Sequence, residues 1–142
     1  MQKYILSIDP GAHTGVAIFE DGKLINLHTD TPYSVLQRIA VGGWHKVIFE
    51  DSTLQSFVYT APTVKGAAKA KINRNIGEVD GFCKIIKLTC ESVKTPWHAV
   101  SPKNKGAKLN AEQFNKLTGW DKPSNQHQRD AAMCGWAIRR AA

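Results

Sequence analysis

The chain has 142 residues and a formal net charge of +7, and this length predicts one domain, residues 1–142, around one hydrophobic core. Its apolar stretches are too short to cross a membrane and its first residues lack a signal sequence, so we expect a cytoplasmic protein without membrane contact. Cys83, Cys90 and Cys134 form no C-x-x-C pair, which argues against a disulfide framework and a structural zinc site and indicates packed thiols.

Turn signals and apolar patterns predict the element order βββαβαβαα. The dipeptide Asp21-Gly22 is a two-residue hairpin signal, so the first three strands should form an antiparallel meander. These strands are predicted at Tyr4–Asp9, Thr14–Glu20 and Lys23–Thr29. Thr31 and Pro32 then predict the cap and the first position of a helix that runs to about Ala40.

The second half of the chain alternates helices and strands. The fourth strand, Lys46–Glu50, is continuously apolar before its last residue, as expected of a strand covered on both faces. A long helix, Ala67–Cys90, carries apolar residues at steps of four and three, and Gly77 and Gly81 within it would allow close packing against another helix. The remaining elements are predicted as a strand at Val93–Val100, a helix at Asn110–Thr118 and a last helix capped by Ser124 that runs to the C-terminus.

Acidic residues stand at the ends of two predicted strands. Asp9 ends the first strand and Glu50 ends the fourth, and strand ends are where open α/β sheets bind ligands. Asp51 is the alternative to Glu50. We favour Glu50 because strand alternation places it on the same face as Ile48 and because the apolar run ends there.

A third acidic signal lies in the first turn of the last predicted helix. His127 and Asp130 are three residues apart and share a face, which continues as Cys134, Ile138 and Ala141 and is predicted as the core side. Burying an unpaired carboxylate and imidazole would cost several kcal/mol, and metal coordination beside the two strand acids would avoid that cost. The alternative is that Asp130 complements the positive helix N-terminus and His127 is a polar boundary residue.

The positive charge is concentrated in the middle of the chain. Residues 53–109 contain ten Lys or Arg against three Asp or Glu, so this window holds the whole net charge of +7. The three acidic signals lie in the neutral flanks. This separation suits a protein that holds divalent cations and a polyanion side by side. The alternative is a solvated basic surface that aids solubility.

The chain resembles the RuvC-type Holliday junction resolvases of the RNase H-like superfamily in four segments: Ile8-Asp9-Pro10-Gly11, Thr14-Gly15-Val16-Ala17, Val47-Ile48-Phe49-Glu50 and His127-x-x-Asp130-Ala131-Ala132. The resemblance implies an RNase H-like α/β fold, in which a central mixed five-stranded sheet with antiparallel first three strands is flanked by helices. It also implies a homodimeric endonuclease that binds four-way DNA junctions and nicks two strands with divalent metal. The short chain resembles phage-encoded members, which implies a bacterial or phage-infected cell.

Phosphodiester hydrolysis gives a physical reason for these residue types. Negative charge accumulates on the transition state and on the leaving oxygen, and two Mg²⁺ or Mn²⁺ ions about 4 Å apart stabilise both and supply a hydroxide. Such ions prefer carboxylate oxygens. We expect Asp9 to bridge two ions, Glu50 and Asp130 to bind one each, and His127 to ligate a metal or to orient the attacking water. No small-molecule cofactor is expected.

The resemblance also predicts DNA contacts, with one departure from the family pattern. Family members commonly carry an aromatic residue close behind the strand-four glutamate, whereas here Phe57 and Tyr59, in a polar loop, are the candidates for wedging the junction open. The basic candidates are Lys65, Lys69, Lys103, Lys105 and Lys108. The long helix is the predicted homodimer interface, because Phe82 and Ile85 lie off its apolar stripe and would otherwise face water.

Two other functional classes remain open. The segment from Asp9 to Gly15 also resembles the phosphate-binding hairpin of actin-like ATPases and sugar kinases, but those enzymes need two such domains. A non-catalytic nucleic-acid-binding module would explain the charge but not the three acidic signals. Within the nuclease class, flap, RNA–DNA hybrid and pre-rRNA substrates are alternatives to a junction.

Overall fold

The computed structural model describes residues 2–54, 65–104 and 106–140. The strands are β1 Tyr4–Asp9, β2 Thr14–Glu20, β3 Lys23–Asp30, β4 Lys46–Glu50 and β5 Trp97–Val100, and the helices are α1 Pro32–Val41, α2 Ala67–Ser92, α3 Ala111–Thr118 and α4 Gln126–Trp136. Short 3-10 turns lie at Ser52–Leu54 and Pro102–Asn104. The predicted element order is confirmed. In these described ranges, no helix has the length and apolar character needed to cross a membrane.

The five strands form one mixed sheet in the order β3-β2-β1-β4-β5. The β1–β2 and β2–β3 pairs are antiparallel, whereas β4 is parallel to β1 and β5 is parallel to β4. The expected mixed sheet with three antiparallel strands is therefore confirmed. The parallel arrangement brings the carboxyl ends of β1, β4 and β5 to the same edge of the sheet.

Helices cover both faces of the sheet. On one face α1 and α2 enclose the core cluster that contains Leu6, Ile8, Val47, Phe49 and Ile86. On the other face α3 and α4 enclose the cluster that contains Ile5, Phe19, Ile48, Phe114 and Ala131. Successive residues of β1 and β4 alternate between these two clusters, so both strands are buried on both faces, as their continuous apolar sequence predicts.

The structure corrects the predicted faces of α2. Phe82 is only 8% exposed and belongs to the core cluster, so the expectation that it faces water was wrong. The exposed large apolar residues of α2 are Ile85 and Leu88 instead. An added Cβ at Gly77 or Gly81 would meet no described atom within 4 Å, so the predicted close packing at these glycines does not occur within the described part of the chain.

The contact between α4 and the sheet uses small residues. The Ser7 hydroxyl donates a 2.6 Å hydrogen bond to the Ala131 carbonyl, and a Cβ added to Gly135 would lie 2.7 Å from Ser7 Oγ. The predicted core stripe through Cys134 and Ile138 was therefore wrong in part, because the closest contact lies one position away. The larger side chains flank that contact and pack at its border.

Three predicted boundaries also shift. The N-cap of α4 is Asn125, which forms a capping box with Gln128, rather than Ser124, and the helix ends at Trp136. The fifth strand begins at Trp97 rather than Val93, because the chain first turns back from α2 through Lys94 at φ 57°.

We predict that Gly135→Ala lowers the free energy of unfolding by about 1–3 kcal/mol, because the added methyl overpacks the α4–β1 contact. Urea denaturation measures this loss. Gly106→Ala is the control, since its added methyl would meet no described atom within 4 Å, and it should change stability by less than about 0.5 kcal/mol. Equal effects of the two substitutions would contradict a tight contact at Gly135.

Candidate active site

Asp9 and Glu50 lie side by side at the carboxyl edge of the sheet. The parallel register of β1 and β4 pairs Ile8 with Phe49, so Asp9 and Glu50 are the next residues on two neighbouring strands. Ile8 and Phe49 pack on the α2 side. Strand alternation therefore directs both carboxylates to the α4 side.

The start of α4 lies against the same edge of the sheet. Gly15 pairs with Asp9 across β1 and β2, and a Cβ added to Gly15 would lie 1.9 Å from the carbonyl oxygen of His127. Any larger residue at position 15 would push the first turn of α4 away from Asp9. The His13 ring, in the β1–β2 turn, also lies near the His127 ring, with 6.2 Å between their centroids.

Asp130 brings a third carboxylate into this region. Its side chain accepts a 2.8 Å hydrogen bond from Gln126 Nε2, and Lys108 Nζ lies 3.5 Å from its Oδ2. Asp130 and Glu50 line the same pocket of about 380 Å³, whose other lining residues include Val100, Leu109, Met133, Cys134 and Ile138. Asp130 is 6% exposed, so its carboxyl group is largely removed from solvent.

The donor chemistry of this region fits a hard divalent cation. Asp9, Glu50 and Asp130 offer carboxylate oxygens, which Mg²⁺ and Mn²⁺ prefer, and the Lys108 ammonium already lies beside one of them. Across residues 2–54, 65–104 and 106–140, however, no three His, Cys, Asp or Glu side chains form a ready metal-binding cluster. These residues therefore match a metal site in their chemical type and in their position at the sheet edge, but the described side chains do not form a closed set of ligands.

Asp51 is excluded as a substitute for Glu50. Its side chain is fully buried on the α2 side, where Lys87 Nζ lies 2.6 Å from Oδ2, and the Thr53 amide and hydroxyl both donate hydrogen bonds to Oδ1. Burial acts to raise the pKa of Asp51, but the hydrogen bonds from Lys87 and Thr53 outweigh it, so the pKa is lowered. Asp51 therefore anchors the end of β4 as a buried carboxylate and leaves Glu50 to face α4.

The predicted DNA-binding residues are only partly described. Lys65, Lys69 and Lys103 are exposed, and Lys108 lies beside Asp130. Lys105, Phe57 and Tyr59 lie outside the described residues. Lys87 also belongs to the basic window of residues 53–109, but its ammonium group forms an ion pair with Asp51. It is therefore less available to bind a phosphate than the exposed lysines are.

Sequence reasoning missed several residues that shape the site. Lys87 follows Ile86, which belongs to the apolar stripe of α2. A lysine so close to the buried face of a helix suggests an acidic partner, and this was the only indication of its role in the sequence. Gly15 and His13 belong to the motif segments between Asp9 and Ala17, but their contacts with α4 could not be predicted because they depend on where that helix lies. For the cysteines the packing prediction is confirmed at Cys83 and Cys90, which are buried free thiols, and burial raises the pKa of Cys90 to about 11. Cys134 is partly exposed in the pocket.

Solved structures share this fold. The structure of T. thermophilus RuvC in complex with a Holliday junction substrate aligns with a TM-score of 0.57 and 16% sequence identity, covering 94% of this chain and 90% of that chain. Another Thermus thermophilus RuvC structure aligns with a TM-score of 0.53 and 15% identity, covering 94% and 91%. No family model and no curated protein matches the sequence. The chain therefore has the RNase H-like fold of RuvC, as the sequence resemblance implied.

We predict that Lys87→Met lowers the free energy of unfolding by about 3 kcal/mol at neutral pH, because it leaves a buried carboxylate without its cation. A carboxyl group with a lowered folded-state pKa contributes stability above its unfolded-state pKa and loses that contribution as the pH falls through the folded-state value. The stability difference between wild type and Lys87→Met should therefore be full at neutral pH and narrow below about pH 4. Denaturation at a series of pH values measures it.

Arg38→Met is the matched control for that prediction. Arg38 pairs with Asp30 at the sheet edge, where both side chains are partly exposed, so its loss should cost only about 1 kcal/mol. A pH-independent cost for Lys87→Met would contradict the ion-pair explanation.

Proposed function

We propose that this chain is a metal-dependent endodeoxyribonuclease that resolves four-way (Holliday) or other branched DNA junctions by paired phosphodiester hydrolysis. One observation carries the proposal. The strand-end acids Asp9 and Glu50 project toward the helix that supplies Asp130, in a fold shared with T. thermophilus RuvC, one structure of which is a complex with a Holliday junction substrate.

The three acids are the proposed holders of Mg²⁺ or Mn²⁺, with two ions in each active site. When bound, such ions stabilise charge on the transferred phosphate and lower the pKa of a bound water. The role of this chain is to place the acids. The close approach of Gly15 to His127 sets the first turn of α4, and Gln126 orients the Asp130 carboxylate. The exposed His127 imidazole is proposed either as a further metal ligand or as the group that orients the attacking water.

The surrounding charge supports a polyanionic substrate. A nuclease must bring phosphates to a cluster of carboxylates that repels them, so cations are needed nearby. Lys108 lines the pocket that also contains Glu50 and Asp130, and Lys65, Lys69 and Lys103 are exposed cations in the same basic window. Together with Lys105 they are the proposed phosphate contacts, and Phe57 and Tyr59 are the proposed junction wedge.

We predict that Asp9→Asn, Glu50→Gln and Asp130→Asn each abolish cleavage of a four-way junction, because each removes a charged ligand for the cation. Junction affinity should stay within a few-fold of wild type, because the lysines supply most of the phosphate attraction. Cleavage is measured on radiolabelled junctions with Mg²⁺, Mn²⁺ or EDTA, and affinity by gel shift in Ca²⁺.

Glu91→Gln is the matched control, because Glu91 is an exposed acid near the end of α2, away from the acidic edge. It should cut at the wild-type rate. A site variant that cuts equally fast would remove that acid from the active site. Loss of binding in all three site variants would mean that the acids support the fold.

A substrate panel separates this proposal from its alternatives. Junction, flap, linear duplex and RNA–DNA hybrid of matched length are compared under the same metal conditions. Selective cleavage of the junction supports a resolvase, and selective cleavage of a flap or hybrid supports another RNase H-like nuclease. Tight junction binding without cleavage in any metal supports the non-catalytic module.

The proposal includes a homodimer formed through α2. Paired nicks need two active sites, and a two-fold axis supplies them. The residues that favour this face are Ile85 and Leu88, which are 47% and 63% exposed and lie three apart on one side of the helix. Gly77 and Gly81 extend the same side with open space above them.

We predict that wild type sediments as a dimer at micromolar concentration and that Ile85→Glu with Leu88→Glu sediments as a monomer, because buried charge opposes the apolar contact. The control is Tyr33→Glu with Val41→Glu, two exposed apolar residues on α1. The double variant of α2 should nick one strand of a junction without resolving it. A wild-type monomer both with and without DNA would contradict the dimer.

A further inference from the structure

A second charged pocket lies at the opposite end of the sheet from the acidic edge. It has a volume of about 300 Å³ and is lined by Lys3, Asp21, His45, Arg139 and Arg140, together with Ile5 and Gly22. Lys3 precedes β1 and Asp9 ends it. The length of this strand, at about 3.3 Å per residue, separates the two sites by roughly 20 Å.

The β2–β3 hairpin holds the two arginines in place. Arg139 Nε donates a 3.0 Å hydrogen bond to the Gly22 carbonyl, and its guanidinium carbon lies 3.5 Å from the centroid of the Trp136 ring. Arg140 lies across the turn itself, since a Cβ added to Gly22 would approach its Cγ to 2.5 Å. Both cations are therefore placed by packing against a tight turn.

The backbone on the other side of the pocket is equally fixed. The Lys3 amide donates a 2.9 Å hydrogen bond to Asp21 Oδ1, and the Asp21 amide donates back to the Lys3 carbonyl at 2.9 Å. The His45 amide donates to the Tyr4 carbonyl at 2.8 Å. The pocket thus has a rigid frame made from β1, the hairpin and the segment before β4.

The charges of this pocket are not balanced. Three cationic side chains face one carboxylate, and one oxygen of that carboxylate accepts from the Lys3 amide. Among the described residues, Lys3, Arg139 and Arg140 have no carboxylate within ion-pair distance. The pKa of Arg139 is lowered, mainly because the side chain is partly removed from water and secondly because the positive charge of Arg140 lies nearby. Keeping like charges this close without a partner is unfavourable, and a bound anion would relieve the repulsion.

We propose that this pocket binds a phosphate group, either a phosphodiester of a nucleic acid or a free phosphate compound. The Arg140 guanidinium can donate parallel hydrogen bonds to phosphate oxygens, and Lys3 adds a point charge. Arg139 contributes its charge and its Nη2 group, because its Nε and Nη1 already donate to the Gly22 and Trp136 carbonyls. A phosphate group has several acceptor oxygens, so it can accept from all three cations at once. This site requires neither metal nor cleavage, so it can be tested separately from the nuclease proposal.

The first experiment titrates the full-length protein with inorganic pyrophosphate in EDTA and follows backbone amide shifts by NMR. We expect saturable shifts at Lys3, Gly22 and Arg140 in wild type. Lys3→Gln with Arg140→Gln should lose them. The control is Lys23→Gln with Lys94→Gln, which removes the same charge at the same end of the sheet but outside the pocket, and it should retain the shifts.

The second experiment identifies the source of the phosphate. Binding of a duplex DNA is measured against salt concentration in EDTA. If the ligand is a nucleic-acid phosphate, the pocket variant should bind about tenfold more weakly than the control variant and its salt slope should fall by about 1. If only pyrophosphate binding is lost, the ligand is a free phosphate compound.

These comparisons require that the pocket and control variants unfold at the same urea concentration as wild type. If the double variant Lys3→Gln with Arg140→Gln unfolds, Arg140→Gln alone replaces it, because Arg140 is exposed. Absence of saturable shifts at these amides in wild type would overturn the proposal. Equal loss in the pocket and control variants would also overturn it, because net charge and not the pocket would then explain the binding.

Discussion

The fit of α4 against β1 and β2 is the contact on which the site depends. Side chains at a helix–sheet contact normally hold the two backbones apart, whereas here Gly15 and Gly135 leave no side chain at two contact points. Ser7 then reaches the helix backbone itself through its hydrogen bond to Ala131. The axial position and rotation of α4 are fixed as a result, and so is the direction in which Asp130 points.

Electrostatics at the same edge follows from that placement. The Glu50 and Asp130 carboxylates line one pocket, and like charges in one region repel one another unless cations lie among them. On the α4 side, Lys108 approaches Asp130. On the α2 side, Asp51 is neutralised by Lys87, which also lies 5.3 Å from the centroid of the Trp97 ring. Consecutive acids at the end of β4 thus serve opposite faces, one as a buried anchor and one as a site residue.

The fold was largely predictable because its strands carry strong local signals. The hairpin at Asp21-Gly22 and the continuously apolar β4 give the first four strands nearly residue by residue. The errors arose where tertiary contact overrides the pattern. Phe82 looked exposed because the stripe was drawn through Cys83 and Ile86, yet the sheet is broad enough to cover both sides of that stripe.

For the candidate site, the sequence predicted where the acids lie but not which residues support them. Asp9 and Glu50 stand at strand ends, which can be located well from the sequence. The role of Gly15 depends on its contact with His127 in α4, and the role of Gly135 depends on its contact with Ser7 in β1. In both cases the partner is more than a hundred residues away in the chain. Hydrophobic patterns in a sequence identify large buried side chains. They cannot identify a close contact at glycines, which have no side chain. This is why the predicted core stripe of α4 passed beside the true contact.

The two ends of the sheet have opposite electrostatic character, and the topology explains it. Parallel strands β1, β4 and β5 bring their carboxyl ends together, where acids collect, and the β2–β3 hairpin turns at the other end, where the chain after α4 returns with Arg139 and Arg140. Under the two proposals made above, a phosphate polymer would be repelled by the first end until cations bind there and attracted by the second without them. Phosphate binding and the proposed chemistry would then be separated in space and in their requirement for metal.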